Sequence, residues 1–296
     1  MRKAACWLLG LILCAPLQSE EICVVSYNVG NYWLASASPS SIHQPVKPEA
    51  EIAAVIKVLN RIKPDIIGLI EIGDESMLED FHARLKAAGL EYAHREWIQG
   101  ADETRHICLL SRFPIVERNS RPDVRFELDG KPVRMNRGIL DVTVAINADY
   151  HLRLVGAHLK SRRDVPEYDQ ARMRAKEASL LRKHLEEILT ASPETNLMLF
   201  GDLNDTKNEY PVRQIIGSKG TPDHMMDLWL RDSRGERWTY YWKTADEYSR
   251  IDYFLVSPGL LKEVVLEKCG IDDSPFWDEA SDHRAIYAVV FAVDRT

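Results

Sequence analysis

This 296-residue chain reads as an α/β (α+β) protein on three features of its sequence. Short apolar runs rich in β-branched and aromatic residues recur along it, bounded by turn residues, as buried strands are. Between them lie longer segments, around 49–62, 77–88 and 169–189, whose apolar residues repeat at helical spacing. The runs end on, or carry near their ends, an acid, an amide or an imidazole, and strands packed in sheets gather such ends at one edge.

Residues 1–19 are expected to precede the fold. Arg2 and Lys3 open an apolar run, Ala4 to Ala15, of signal-peptide length and too short to span a bilayer. Pro16 breaks it, and cleavage is expected near Ser19, which makes the protein exported, periplasmic or extracellular. A lipoprotein signal fits less well, because Leu13 before Cys14 is not small. The remainder, 20–296, reads as one domain: it shows no internal repeat, no linker-like stretch and no later transmembrane run. The formal net charge of −7 speaks against bulk-field binding of nucleic acid but allows a local basic rim. After Cys6 and Cys14, Cys23, Cys108 and Cys269 remain, with no zinc-type spacing. They allow at most one disulfide and are expected as buried free thiols.

Ile22 to Tyr27 reads as a strand that ends at Asn28, either a turn residue or a rim amide. A Ser/Pro/Ala-rich loop spans 34–48. A helix opens after Pro48 and closes before Lys63-Pro64. Ile66 to Ile70 is wholly apolar, hence buried on both faces. Glu71 directly follows and must be hydrated, paired with an arginine or bound to a cation. A helix from Met77 stops at Gly89. Residues 97–105 read as loop, His106 to Ser111 as strand, and 113–136 as irregular. Ile139 to Ile146 and Leu152 to Leu159 are strands, the second carrying His158 ahead of the basic group Lys160, Arg162 and Arg163. The longest helix is expected over 169–189. Asn196 to Phe200 is a strand running into Gly201-Asp202-Leu203-Asn204, where Asp202 and Asn204 can point the same way. Residues 206–249 read as irregular, with Trp238 to Trp242 a strand or aromatic ledge. Ile251 to Val256 holds a buried Asp252 that needs a donor. His283, beside Asp282 at the start of the last apolar run, Ala285 to Phe291, is an available one.

The oxygen donors Asn28, Glu71 and Asp282 suit a hard cation, Mg²⁺ foremost, with Mn²⁺ or Ca²⁺ as alternatives. The absence of a close histidine pair disfavours zinc. The stretches Ser26-Tyr27-Asn28, Gly68 to Glu71, Leu109 to Arg112, Gly156 to Leu159, Gly201 to Asn204, Arg250 to Tyr253 and Ser281 to His283 occur in the order found in the endonuclease/exonuclease/phosphatase superfamily. The chain resembles that superfamily, with its deoxyribonuclease I-like fold, over nearly its whole length.

The resemblance implies a four-layer α/β sandwich, two packed mixed sheets flanked by helices, and metal-dependent cleavage of a phosphoester. It puts Asn28 and Glu71 at metal-site positions and Asp282 near both metal and base. His283 matches the general base and Asp252 its orienting carboxylate. Asp202 and Asn204 match groups that hold the scissile phosphate or the water. His158 matches the second histidine of the nuclease and sphingomyelinase branches, often the general acid. Arg112, Lys160 and Arg162, with Arg105, Arg137 and Arg163, are expected to form a phosphate-positioning rim. The expected substrate is DNA or RNA and the expected state a monomer with no obligate protein partner. Phospholipid or sphingomyelin cleavage, a small-molecule phosphatase, and a catalytically inactive binding protein are the alternatives.

Overall fold

Residues 21–34 and 46–295 are described by the computed structural model. The expected signal peptide, with Cys6 and Cys14, lies outside the described residues, as does most of the 34–48 loop. In chain order the elements are β1 (Glu21–Tyr32), α1 (Glu49–Ile62), β2 (Ile66–Ile72), α2 (Glu75–Ala87), β3 (His94–Ile98), β4 (His106–Ser111) and β5 (Ile115–Arg118). Next come β6 (Arg125–Leu128), β7 (Lys131–Arg134), β8 (Leu140–Ala145), β9 (His151–His158), α3 (Gln170–Ala191), β10 (Leu197–Asp202) and α4 (Tyr210–Ile216). The chain closes with β11 (Met226–Asp227), β12 (Tyr240–Trp242), β13 (Glu247–Ser249), β14 (Asp252–Val256), α5 (Pro258–Leu261), β15 (Gly270–Ile271), α6 (Trp277–Ala280) and β16 (Ile286–Phe291).

Two six-stranded mixed sheets result, in the orders β15-β16-β1-β2-β4-β3 and β11-β14-β10-β9-β8-β5. Each has one parallel pair near its middle, β1 with β2 and β9 with β10, and antiparallel neighbours outside. A helix joins each parallel pair, α1 in the first sheet and α3 in the second, as a parallel connection requires.

Three apolar clusters build the layers. One lies between the sheets, with Val24, Ile70 and Leu109 against Leu154, Phe200 and Phe254. A second seats Val55, Leu59 and Phe81 of α1 and α2 on the first sheet. The third seats Ala178, Leu181 and Leu185 of α3 on the second. At the centre, the Phe200 ring lies over Gly68 of β2 and Gly156 of its own sheet. A Cβ at those glycines would come within 2.2 and 2.6 Å of the ring. The missing side chains let the sheets close on one aromatic ring, whose loss on Phe200→Ala would cost about 3–5 kcal/mol.

The segments read as irregular hold more structure than expected. β3 occupies 94–98, running into the segment read as loop, and is an edge strand with a half-polar face. Residues 125–134 form the β6–β7 hairpin, turning at Asp129 (φ 54°) and Gly130 (φ 73°). α4, β11 and the β12–β13 hairpin lie within 206–249. Cys23, Cys108 and Cys269 are free thiols. Among the described residues, no helix is long and apolar enough to cross a membrane.

Candidate active site

Both parallel pairs run their C-terminal ends to the same edge of the sandwich. Asn28 on β1 and Glu71 on β2 arrive from one sheet, His158 and Asp202, the last residues of β9 and β10, from the other. β14 is antiparallel to β10, so its first residue, Asp252, pairs with Asp202 at that edge. β16 is antiparallel to β1, so the loop before it delivers Asp282 and His283 there too.

Local backbone is adapted to the task. The β1–β2 and β2–β4 registers both shift around Glu71, which has φ 65°. Left-handed backbone at a glutamate costs on the order of 1–3 kcal/mol and persists where surrounding structure enforces it. Here it turns the carboxylate out of the strand alternation toward the cleft. Asn204, at φ 52°, follows a tight exit that needs Gly201 (φ 138°), where a Cβ would sit 1.9 Å from the Ala157 carbonyl oxygen.

The floor is a connected polar cluster. His283 Nδ1 lies 2.8 Å from Asp252 Oδ2. Its Nε2 faces Asn28 Nδ2 at 3.4 Å and Asp202 Oδ2 at 3.7 Å. Asn28 Nδ2 donates to Asp202 Oδ2 at 3.2 Å, and Asp202 Oδ1 accepts the Asn204 amide at 2.8 Å. His158 Nε2 lies 3.6 Å from Asp202 Oδ2 and 3.8 Å from Glu71 Oε1. Among the residues that hold these groups, Ser281 belongs to the Ser281 to His283 stretch, while Thr239 carried no signal of its own. Thr239 Oγ1 accepts the amides of Ile251 and Asp252, each at 3.1 Å. Ser281 Oγ donates to the Asn28 carbonyl at 2.9 Å and accepts the His283 amide at 3.1 Å. The Tyr240 ring lies 4.7 Å from the His283 ring.

Electrostatics sets the two histidines apart. Burial disfavours charge on His283, but the carboxylates of Asp252 and Asp202 outweigh it and raise its pKa to about 10. Burial, with the positive charges of Arg137 and Arg105, holds His158 well below the ordinary histidine value. Burial raises Asp202 to about 7, against the pull of His283.

Two groups of side chains could hold a cation. Asp202, Asp252 and His283 offer ligand atoms within 4.8 Å of one another. Asp252 Oδ2 and His283 Nδ1 already bond to each other, however, which leaves an ion there only His283 Nε2 and the second Asp252 oxygen from that pair. Glu71 fits better: among the described residues its Oε1 has no donor nearer than Arg105 Nε at 3.7 Å, while Oε2 accepts the Asn31 amide at 2.9 Å. Asn28 Oδ1, which accepts the Gly30 amide at 3.1 Å, retains a second lone pair. Asp282 is exposed on the cleft wall, and its backbone carbonyl pins the β12–β13 hairpin through the Tyr241 amide at 2.9 Å. An all-oxygen set of this kind suits a hard divalent cation.

Above the floor opens a cleft of about 920 Å³. Arg137 lines it; its Nη2 binds Asp102 at 2.9 Å, while Nε and Nη1 are buried with no hydrogen-bond partner. Arg162 stands on the rim, paired with Asp205. Two of the expected phosphate contacts need correction. Lys160 Nζ spends its donors on its own loop, reaching the Arg163 carbonyl at 2.7 Å and Ser161 at 3.1 and 3.2 Å. Arg112 lies at the far end of the first sheet, bound to Asp65 at 2.9 Å and bordering a separate hollow with His82 and Tyr92. Asp65 precedes β2 and Glu71 lies near its other end, so the strand itself separates Arg112 from the site. A further residue organises the rim. Buried Glu177 of α3 accepts the amides of Asn136 at 2.9 Å and Lys160 at 2.6 Å, tying down the segments that carry Arg137 and Lys160.

Comparison with known proteins bears on the family and the fold. The model of the Endonuclease/Exonuclease/phosphatase family matches residues 25–283. Truncated TDP2 of Caenorhabditis elegans superimposes with a TM-score of 0.62 at 18% identity, covering 92% of this chain and 98% of that one. The human Nocturnin catalytic domain with bound sulfate gives 0.63 at 15% identity, covering 92% and 94%. Beta toxin 275-280 from Staphylococcus aureus gives 0.61 at 14% identity, covering 90% and 98%. These likenesses show the fold. No curated protein sequence matches the chain.

Proposed function

Because the chain belongs to the Endonuclease/Exonuclease/phosphatase family of metal-dependent phosphoric ester hydrolases, we propose that it is an exported, Mg²⁺-dependent phosphodiesterase that cleaves nucleic acid. The observation that carries the reading is the convergence of the His283–Asp252 pair, Asp202 and the oxygen donors Asn28 and Glu71 at one sheet edge, beside a cleft that Arg137 lines. A cation held by Glu71 and Asn28 would neutralise charge on the non-bridging phosphate oxygens.

The chain's own groups supply the rest. His283 Nε2 faces the cleft and, in its deprotonated form, takes a proton from the attacking water. Asp252 fixes the tautomer at Nδ1 and stabilises the imidazolium that forms. Asp202 and Asn204 orient the water or the phosphate. The environment of His158 keeps it neutral, so it acts as a hydrogen-bond donor to phosphate rather than as a charged acid. Arg137, on the cleft lining, places positive charge beside the phosphate. Acid–base assistance of this kind contributes on the order of 10²–10⁴-fold.

The test is turnover of plasmid DNA, RNA, sphingomyelin and a chromogenic diester, with and without chelator. Chelator-sensitive cleavage of nucleic acid is expected; metal binding with no turnover on any substrate would overturn the reading. One observation favours lipid as a second reading. Trp242 and Tyr248, 50% and 53% exposed, stand on the β12–β13 hairpin beside the cleft. Preferential cleavage of sphingomyelin would select it. The basic start and apolar run of residues 1–19 support export, and recovery of tagged protein from the cytoplasm alone would refute that part.

A further inference from the structure

Outside the cleft, one surface cluster has no part in the chemistry above. Trp229 follows the edge strand β11 and is 48% exposed. Lys207 Nζ and Arg237 Cζ lie 4.2 and 4.1 Å from its ring centroid, and Arg250 Cζ lies at 5.9 Å. One carboxylate, Asp227, answers these three cations, binding Lys207 at 2.9 Å and Arg250 through both guanidinium nitrogens. Among the described residues, Arg237 has no carboxylate within ion-pair distance.

The indole matters to this charge balance. A carboxylate partner cancels a cation's charge, whereas an aromatic ring gathers the cation and leaves its charge intact. On a chain of net charge −7, a cluster held in this way is a local positive focus.

Its place on the fold gives it a direction. β11 pairs with β14, and the Leu228 amide donates to the Phe254 carbonyl at 3.0 Å. Trp229 therefore sits on the strand track beside β14, whose first residue is Asp252. Lys207 is the neighbour of Thr206, which lines the cleft. Arg250 lies over the Tyr253 ring at 4.6 Å, and the Tyr253 hydroxyl donates to the Asp205 carbonyl at 3.1 Å. The Asp205 carboxylate in turn holds Arg162 on the rim. These contacts link the sheet edge to the cleft rim.

We propose that Lys207, Trp229 and Arg237 form an accessory phosphate track that takes the nucleic-acid strand flanking the cleaved bond, a role that rests on the nuclease reading above. The track does not touch the reacting phosphate. It makes a polymer a better substrate than a small diester, through KM and not kcat.

The test is a double variant, Lys207→Gln with Arg237→Gln, against wild type and a charge-retaining control, Lys207→Arg with Arg237→Lys. Binding of a fluorescently labelled single-stranded oligonucleotide of roughly 20 nucleotides is followed by anisotropy in chelator. Wild type and control bind. The Gln variant binds about tenfold or more weakly, and its plot of log affinity against log salt is shallower by about 1.4, the share of two lost phosphate contacts on a single strand. With metal restored, KM for the oligonucleotide rises in the Gln variant while turnover of a chromogenic diester stays unchanged. Equal binding by wild type and Gln variant overturns the track, as does absence of oligonucleotide binding by wild type. So does an effect confined to anionic phospholipid vesicles. Failure of the nuclease reading shows separately, as oligonucleotide bound by the track but not cleaved with metal.

Discussion

Asp252→Asn tests the site at its centre. The substitution keeps the side-chain shape and removes one buried charge 2.8 Å from His283 Nδ1. The hydrogen bonds of Thr239 to the backbone amides of 251 and 252 do not involve the carboxylate and survive. At this separation, with an effective dielectric constant near 20, the lost attraction is about 6 kcal/mol. That corresponds to roughly four pKa units. Burial already opposes charge on His283, so its pKa falls from about 10 to near or below the ordinary 6.5. Two consequences run in opposite directions. The acidic limb of the pH–rate profile, which reports deprotonation of the base, moves to lower pH. The plateau drops by about 10²–10⁴-fold, because the imidazolium formed on proton uptake has lost its counter-charge. The assay is hydrolysis of a chromogenic diester across pH, with circular dichroism to verify the fold. A folded Asp252→Asn enzyme with kcat near wild type and an unmoved acidic limb would refute the assignment of His283 as base.

Further expectations follow from the same geometry. Glu71→Gln should weaken divalent-cation binding by at least about tenfold in calorimetry, since even residues behind a ligand contribute that much; unchanged affinity would remove Glu71 from the cation site. In chelator, stability should fall as pH rises from 6.5 to about 10, because a histidine with a raised folded pKa stabilises fully below its unfolded pKa and ceases to above its folded one. Denaturant titrations across that range should show the slope in wild type and a flatter one in Asp252→Asn. Glu177→Ala leaves two buried amides unpaired and should cost about 1–3 kcal/mol for each in urea unfolding, with a higher KM as Arg137 loses its anchorage.

Sequence and structure agree best where periodicity is strong. The buried strands β1, β2, β4, β9, β10 and β14 and the helices α1 and α3 announce themselves because both sheet faces or one helix face must be apolar. β3 escapes because His-Arg-Glu-Trp-Ile on a half-exposed edge keeps no alternation. The β6–β7 hairpin did carry a signal, Asp129-Gly130, a turn pair suited to positive φ, but its charged flanks hide the strands. The floor residues are legible as polar groups at strand ends. Most of their supports are not: Thr239 and Glu177 act through contacts to residues distant in the chain, and Ser281, though within the Ser281 to His283 stretch, is tied to Asn28 only by the fold. Lys160 and Arg112 fail for the same reason, since a cation's partner is a matter of three-dimensional neighbours, here a loop's own carbonyls and Asp65.

The Phe200 ring, lodged over Gly68 and Gly156, has a mechanical meaning for the chemistry. Asn28 and Glu71 ride on one sheet, His158, Asp202 and Asp252 on the other, and side-chain contacts such as Asn28 Nδ2 to Asp202 Oδ2 join them across the edge. The span from Glu71 to His158 is a caliper opening, and the thickness of one buried benzene ring is its setting. A core change such as Phe200→Leu, out of reach of any substrate, would retune the opening without touching a charged group. Spacing across the candidate site should therefore respond to changes in this close-packed interior, and a variant library confined to apolar positions would explore it.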